Sequence, residues 1–324
     1  MVINIAIDRY FYVFLRTSNE PEVHISSADF QTYDYWNREE DWKGGMKLPR
    51  AIFHHFGIAK GVSLFLASEV PPGTGLGSSS TVAVGLIKAL AAASSVHLTK
   101  MELAEMASYI EIEKLGSPIG KQDQYAAAFG GINLIEFTKE KTVVTALQFP
   151  LNTITSLSNS LLLFYTGHKR KANEILSQQK EASKNKSKPV LDALHKVKAM
   201  VPEVKSILEK GDMASLGGFL HQNWIEKKRF AKGVSNPFID TCYEMALLEG
   251  AWGGKITGAG GGGFLLFCCP EDRQKSVIKA LESQGLIQMS FSLDFSGARV
   301  LMNSGLRFTS RFSWTPPDKL LQRI

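Results

Sequence analysis

Cysteine is scarce in this chain: there are three in 324 residues, Cys268 and Cys269 adjacent and Cys242 alone. That distribution gives neither a disulfide framework nor a metal-ligand spacing, so all three thiols are expected as small, buried, apolar groups in a reducing compartment. Long apolar runs are lacking as well; Phe264 to Cys269 falls far short of the ~20 residues that span a bilayer. Asp8 and Arg9 interrupt the apolar start, so it does not read as a secretory leader. A cytoplasmic location is expected. Neither sign of charge dominates, since 37 Lys and Arg against 31 acids leave a net +6. That balance is mild for a nucleic-acid binder and equally suits an enzyme with anionic substrates. Low-complexity segments and solenoid-period repeats are absent.

What is present is an ordinary globular composition, 44% hydrophobic and 21% charged, in a chain long enough for about two domains. Val2, Ile3, Ile5 and Ile7, then Tyr10 to Leu15, read as one half- to fully buried strand. Aromatics and charges (Phe30, Tyr33, Tyr35, Trp36, Trp42) surround a Gly44-Gly45 turn. A helix is expected near Leu48 to Phe56 and a strand at Val62 to Ala67. Helices follow from Ser79 to Ala93, from a Thr99 N-cap with Glu102 in a capping box to Lys114, and from Gln122 to Phe129. Ile132 to Phe137, Val143 to Phe149 and Leu161 to Tyr165 read as strands. Helical periodicity fills residues 190–250. Residues 169–188 carry seven Lys and Arg against Glu174 and Glu181. They read as a solvated helix face and connector, or as a positive rim facing an anionic substrate.

Three stretches carry chemistry. In the first, Pro71-Pro72-Gly73-Thr74-Gly75-Leu76-Gly77-Ser78-Ser79-Ser80, alternating glycines let the backbone bring N–H groups close to a ligand. The serines open a helix whose positive end faces the loop, which makes an anion site with phosphate as the expected anion. No Walker motif occurs. The second stretch is Lys255-Ile256-Thr257 followed by Gly258-Ala259-Gly260-Gly261-Gly262-Gly263. It satisfies G-x-G-x-x-G, but a strand rather than a helix follows, which refuses the dinucleotide reading. Between them, Glu111 late on one helix and Asp123 in the first turn of the next place two carboxylates toward one cleft. Such a pair suits a Mg²⁺ ligand and a group that orients or deprotonates a hydroxyl.

Together these stretches resemble the GHMP kinase superfamily, and within it the branch of D-glycero-D-manno-heptose 7-phosphate kinases. Gly120 to Gly131, Leu161 to Gly167, Ser235 to Asp240 and Gly250 to Gly263 carry that likeness. The resemblance implies an α+β fold of two domains, residues 1–155 ribosomal-protein-S5-like and residues 156–324 ferredoxin-like. It implies that Pro72, Gly73, Thr74, Gly75, Leu76, Gly77, Ser78 and Ser79 cradle ATP, with Ser78 and Glu111 at Mg²⁺. Gly258, Ala259, Gly260 and Gly261 would complete the nucleotide site, and Asp123 would act on the acceptor hydroxyl. The implied activity is ATP-dependent phosphorylation of the anomeric hydroxyl of the heptose 7-phosphate. Fucose, galactose or mevalonate acceptors, or a ligand-binding protein without turnover, are the alternatives; a nucleic-acid binder comes third, since the basic run lacks interleaved aromatics. The family's first motif, a Pro-x-Arg strand and a glycine-rich turn with Thr-Asp, is missing before Val2 to Tyr10. This points to truncation, with weak ATP binding and slow turnover expected.

Overall fold

A computed structural model of the chain describes residues 1–17, 21–29, 31–36, 45–168, 172–308 and 314. Phe30, Trp42, Gly44 and the basic residues 169–171 lie outside them.

The strand expected from Val2 to Leu15 is two strands in two sheets. β1 (Val2–Ile5) pairs antiparallel with β6 (Ile132–Phe137), which also pairs with β7 (Thr142–Ala146), in the order β1-β6-β7. β2 (Phe11–Thr17) belongs to a second sheet with β3 (Val23–Ser27), β4 (Thr32–Trp36) and β5 (Val62–Ser68), in the order β2-β5-β3-β4. The break has a local cause. The Ala6 carbonyl accepts from the Asp294 N–H, and the Asp8 carboxylate accepts from the Ser292 N–H at 2.7 Å. The chain is thus tied to residues 292–294 before it turns into β2. Nor is β2 buried on both faces, because Phe14 is 57% exposed while Val13 and Leu15 pack inward.

Against the inner face of the second sheet pack α1 (Lys47–His55), α2 (Ser78–Ala93), α3 (Lys100–Ser108) and α4 (Gln122–Phe129). Ile25, Ile52, Leu64, Leu86, Leu90 and Met106 are among the buried residues of this core. The Thr99 capping box forms in both directions, with Glu102 N–H donating to Thr99 Oγ1 and Thr99 N–H to Glu102 Oε2. The expected continuation of that helix is present but changes winding: Tyr109–Lys114 is a π-helix.

The second half holds α5 (Leu151–Ser160), β8 (Leu161–Tyr165), α6 (Ala172–Lys184), α7 (Lys188–Lys210), α8 (Met213–Lys227) and α9 (Pro237–Leu248). β9 (Gly253–Ile256), β10 (Phe264–Cys268), α10 (Gln274–Ser283) and β11 (Ile287–Gln288) complete it. Its sheet has the order β11-β8-β10-β9, antiparallel throughout. One face of that sheet, with Phe164, Leu265, Phe267 and Ile256, packs on α9 and α10. The boundary expected at 155/156 falls inside α5, a helix that the strand expectation at Val143 to Phe149 did not foresee. A third apolar cluster joins the halves, with Ile3 and Ile5 from β1 against Leu157, Leu208, Leu216 and Cys268.

Among the described residues no helix is long and apolar enough to cross a membrane. All three cysteines are free and buried.

Candidate active site

The first glycine stretch links β5 to α2. Gly73, Gly75 and Gly77 have φ of +79°, +93° and +71°, a region that side chains with a Cβ rarely adopt. Thr74 is fully buried and its hydroxyl donates to the Pro71 carbonyl at 2.7 Å, which holds the turn. Leu76 anchors the loop against Val70, Leu163 and Phe264. Gly77 is the N-cap of α2 and has no side chain to cap it. The first-turn N–H groups at Ser78, Ser79 and Ser80 therefore remain available to an anion at the positive end of a sixteen-residue helix.

Asp123 reaches this loop from another element. Built as a Cβ, a methyl on Gly77 would stand 3.1 Å from Asp123 Cβ and 3.5 Å from its Oδ2. The glycine is thus what lets the carboxylate of α4 lie against the loop. Glu111 approaches from the π-helix and is only 2% exposed. Its carboxylate is hydrogen-bonded by Ser79 and Ser80 of α2 and accepts from Gln124 Nε2 at 2.6 Å. Burial pushes the Glu111 carboxyl above its ordinary value; the three hydrogen bonds oppose that, and the neighbouring Asp123 charge reinforces it. π-Helical turns are rare and often found where a side chain must be re-aimed.

The second glycine stretch divides into two roles. Gly258 lines a cavity of about 580 Å³ together with Gly75, Leu76, Gly77, Asp123 and Lys255. Ala259 packs in the core of the second half, a Cβ on Gly260 would meet Val234, and one on Gly261 would meet Gly233 and Ile175. The contact with the first loop is made by Gly263, where an added Cβ would stand 1.9 Å from the Thr74 carbonyl oxygen. Lys227 Nζ donates to the Ile256 carbonyl at 2.8 Å and to that of Gly258, which fixes the entry to this stretch.

Ser78 and Glu111 are the donors that a divalent cation would use here. Ser78 Oγ is buried with no hydrogen-bond partner, beside the serines that bond the Glu111 carboxylate. Among the described residues no cluster of three or more His, Cys, Asp or Glu forms a protein-only metal site. One hydroxyl and one carboxylate fit Mg²⁺, which keeps waters and takes most of its remaining ligands from substrate phosphates.

Gln124, Ser80 and Lys227 were not singled out from sequence, and Gly263 was named only as part of the G-x-G-x-x-G pattern. Gln124 and Ser80 stood inside the motifs already quoted. Lys227, far from either loop in sequence, left no signal.

A phosphate-type loop packed on a second glycine loop, with two carboxylates between them, defines a small-molecule kinase site. Comparison with known proteins agrees. The model of the GHMP kinases N terminal domain matches residues 46–131, and that of the GHMP kinases C terminal domain matches residues 200–286. The chain is 34% identical over 309 residues to the D-glycero-alpha-D-manno-heptose 7-phosphate kinase of Campylobacter jejuni, covering 92% of this chain and 90% of that protein. It is 26% identical over 329 residues to the galactokinase of Pyrococcus furiosus, covering 91% and 90%. Among solved structures, a D-glycero-D-manno-heptose 1-phosphate kinase from Bacteriodes thetaiotaomicron superposes with a TM-score of 0.74 at 26% identity, covering 91% of this chain and 88% of that one. The protein belongs to the GHMP kinase family, as the resemblance of its glycine motifs implied.

Proposed function

We propose that the protein transfers the γ-phosphoryl group of ATP to the anomeric hydroxyl of D-glycero-D-manno-heptose 7-phosphate, giving the 1,7-bisphosphate. The observation that carries the reading is the contact of Asp123 with Gly77, which sets an acceptor-directing carboxylate beside a phosphate-binding loop. Likeness to the Campylobacter jejuni heptose 7-phosphate kinase over nearly the whole of both chains supports the acceptor.

In this reading the N–H groups of residues 73–79 hold the phosphate oxygens, and Asp123 orients the acceptor hydroxyl and takes its proton. Mg²⁺, held by Ser78 and Glu111 when bound, would supply neutralisation of the charge on the β- and γ-phosphates. Positioning and charge neutralisation then do most of the catalysis, as is general for phosphoryl transfer. Residues 1–155 and 156–324 are proposed as the two domains, the first supplying most of the ATP contacts.

A second reading is carried by the Bacteriodes thetaiotaomicron protein, whose name puts the phosphate of its heptose at position 1. The test is coupled detection of ADP release with a panel of acceptors. Turnover with heptose 7-phosphate above heptose 1-phosphate, galactose, fucose and mevalonate is expected. Preference for any of the others overturns the assignment of acceptor.

A further inference from the structure

The cavity beside Asp123 has a wall with an odd member. Across the sheet of the second half, Leu163 of β8 is in register with Leu266 of β10, and Leu266 with Lys255 of β9. All three line the cavity, so this row of the sheet reads Leu, Leu, Lys. On the opposite face the next residue, Ile256, is fully buried in the core. Lys255 is therefore held on the cavity side by strand alternation and cannot turn away without moving β9.

Among the described residues Lys255 makes no hydrogen bond or ion pair. Burial holds its ammonium below the ordinary lysine range, with no neighbouring charge acting against that. Lys255 is half-buried beside the two leucines, and an anion entering the cavity would pair with its partly desolvated ammonium.

The other charged groups of the cavity narrow the choice of anion. Arg9 is engaged by Glu69 at 3.7 Å and by the Ser290 carbonyl, and Arg299 lies over the Tyr10 ring. Asp294 is occupied by the Gly297 N–H at 3.0 Å and the Ser296 N–H. That leaves Lys255 and Lys88 as cations without partners among the described residues. Lys88 projects from the same side of α2 as Thr81, Val84 and Gly85, which also line the cavity. Two ammonium groups suit a dianion with several acceptor oxygens, and a phosphate monoester has that chemistry. The volume of about 580 Å³ accommodates a small molecule rather than an inorganic ion alone.

We propose that Lys255 is a specificity-determining residue, binding the phosphate group that the acceptor already carries while its hydroxyl lies at Asp123. This rests on the kinase reading for the role of Asp123, but binding of the phosphate monoester to Lys255 is separable from it. The cavity thus distinguishes a sugar phosphate from the free sugar.

The test compares the parent protein with Lys255→Met and Lys255→Arg by calorimetry and thermal melts, without turnover. The probes are heptose 7-phosphate, the same heptose without phosphate, and ATP. Lys255→Met should lose ~10–100-fold in affinity for the phosphorylated sugar, the worth of a charge-assisted contact. Affinity for the free sugar and for ATP should stay near the parent values, and Lys255→Arg should restore part of the loss. With no ligand, Lys255→Met should melt at or above the parent, which shows that it folds. An unchanged preference for the phosphorylated sugar in Lys255→Met overturns the proposal. Should the parent ignore heptose 7-phosphate yet bind ribose 5-phosphate or glucose 6-phosphate through Lys255, the proposal stands and the heptose assignment falls. If the parent binds no phosphate monoester, the proposal is wrong.

Discussion

Asp123 and Glu111 are both carboxylates near one loop, yet their surroundings separate their tasks. Glu111 is sealed in and hydrogen-bonded by two serines and Gln124, whereas Asp123 lines the open cavity. Asp123→Asn should therefore lower kcat by ~10²–10⁴ with little change in ATP affinity, because an acid/base group is removed and the loop is left intact. A kcat equal to that of the parent would remove Asp123 from the mechanism. Glu111→Gln should shift the Mg²⁺ titration of activity to higher concentration while leaving acceptor binding in place, since an amide keeps the shape and loses the charge. Glu111 also makes a pH prediction. Its folded pKa is raised above the ordinary 4.5, so the stability it contributes is present below that value and is lost as pH rises through the folded pKa. Melting curves without Mg²⁺ should show Glu111→Gln gaining on the parent as pH is raised from acid towards neutrality. A constant difference across that range would mean that the carboxyl is not perturbed.

At the scale of single elements, the two glycine loops allow a paired comparison. Gly73 has φ of +79° with open space around its missing Cβ, while Gly263 has φ of +91° and the Thr74 carbonyl at 1.9 Å from that position. Gly73→Ala should cost the ~1–2 kcal/mol of left-handed strain. Gly263→Ala must also push the two loops apart, so it should lower the melting temperature further and weaken ATP binding. Equal effects from the two substitutions would mean that the loops do not support one another. The first glycine loop and the helix it opens were legible in sequence, because alternating glycines before a serine-led run have few other uses. The capping box at Thr99 was legible for a similar reason, since its geometry is local. The β3–β4 hairpin was not, because its aromatics alternate on a sheet whose outer face is open: Tyr33 and Tyr35 are 61% and 60% exposed. Alternation with aromatics on the wet side gives no apolar-in, polar-out signal. The π-helix was invisible too, since Tyr109 to Lys114 continues an ordinary helical pattern. The role of Gly263 depends on a contact with Thr74, more than half the chain away, and no local pattern encodes that.

Across the whole molecule, the thiols behave as their spacing suggested. Burial raises the Cys268 thiol to about 12 and that of Cys269 to about 11, with Cys242 also raised. The thiolate is the reactive form, so a disulfide-exchange reagent at neutral pH should label the folded protein only at the rate of its opening, and all three cysteines at once in denaturant. Rapid labelling of any one under native conditions would contradict that burial. The apolar cluster that joins the halves bears on how substrates enter and products leave. Ile3 and Ile5 share it with Leu208, Met213 and Leu216, so swinging one half away from the other would wet the cluster at ~25 cal/mol for each Å² exposed. A rigid swing of the halves is thus disfavoured, and bending of loops at the rim of the cavity is the expected way in and out. Amide exchange should accordingly be slow on both sides of that seam, in β1 and in α8, and should stay in step between them when ATP is added.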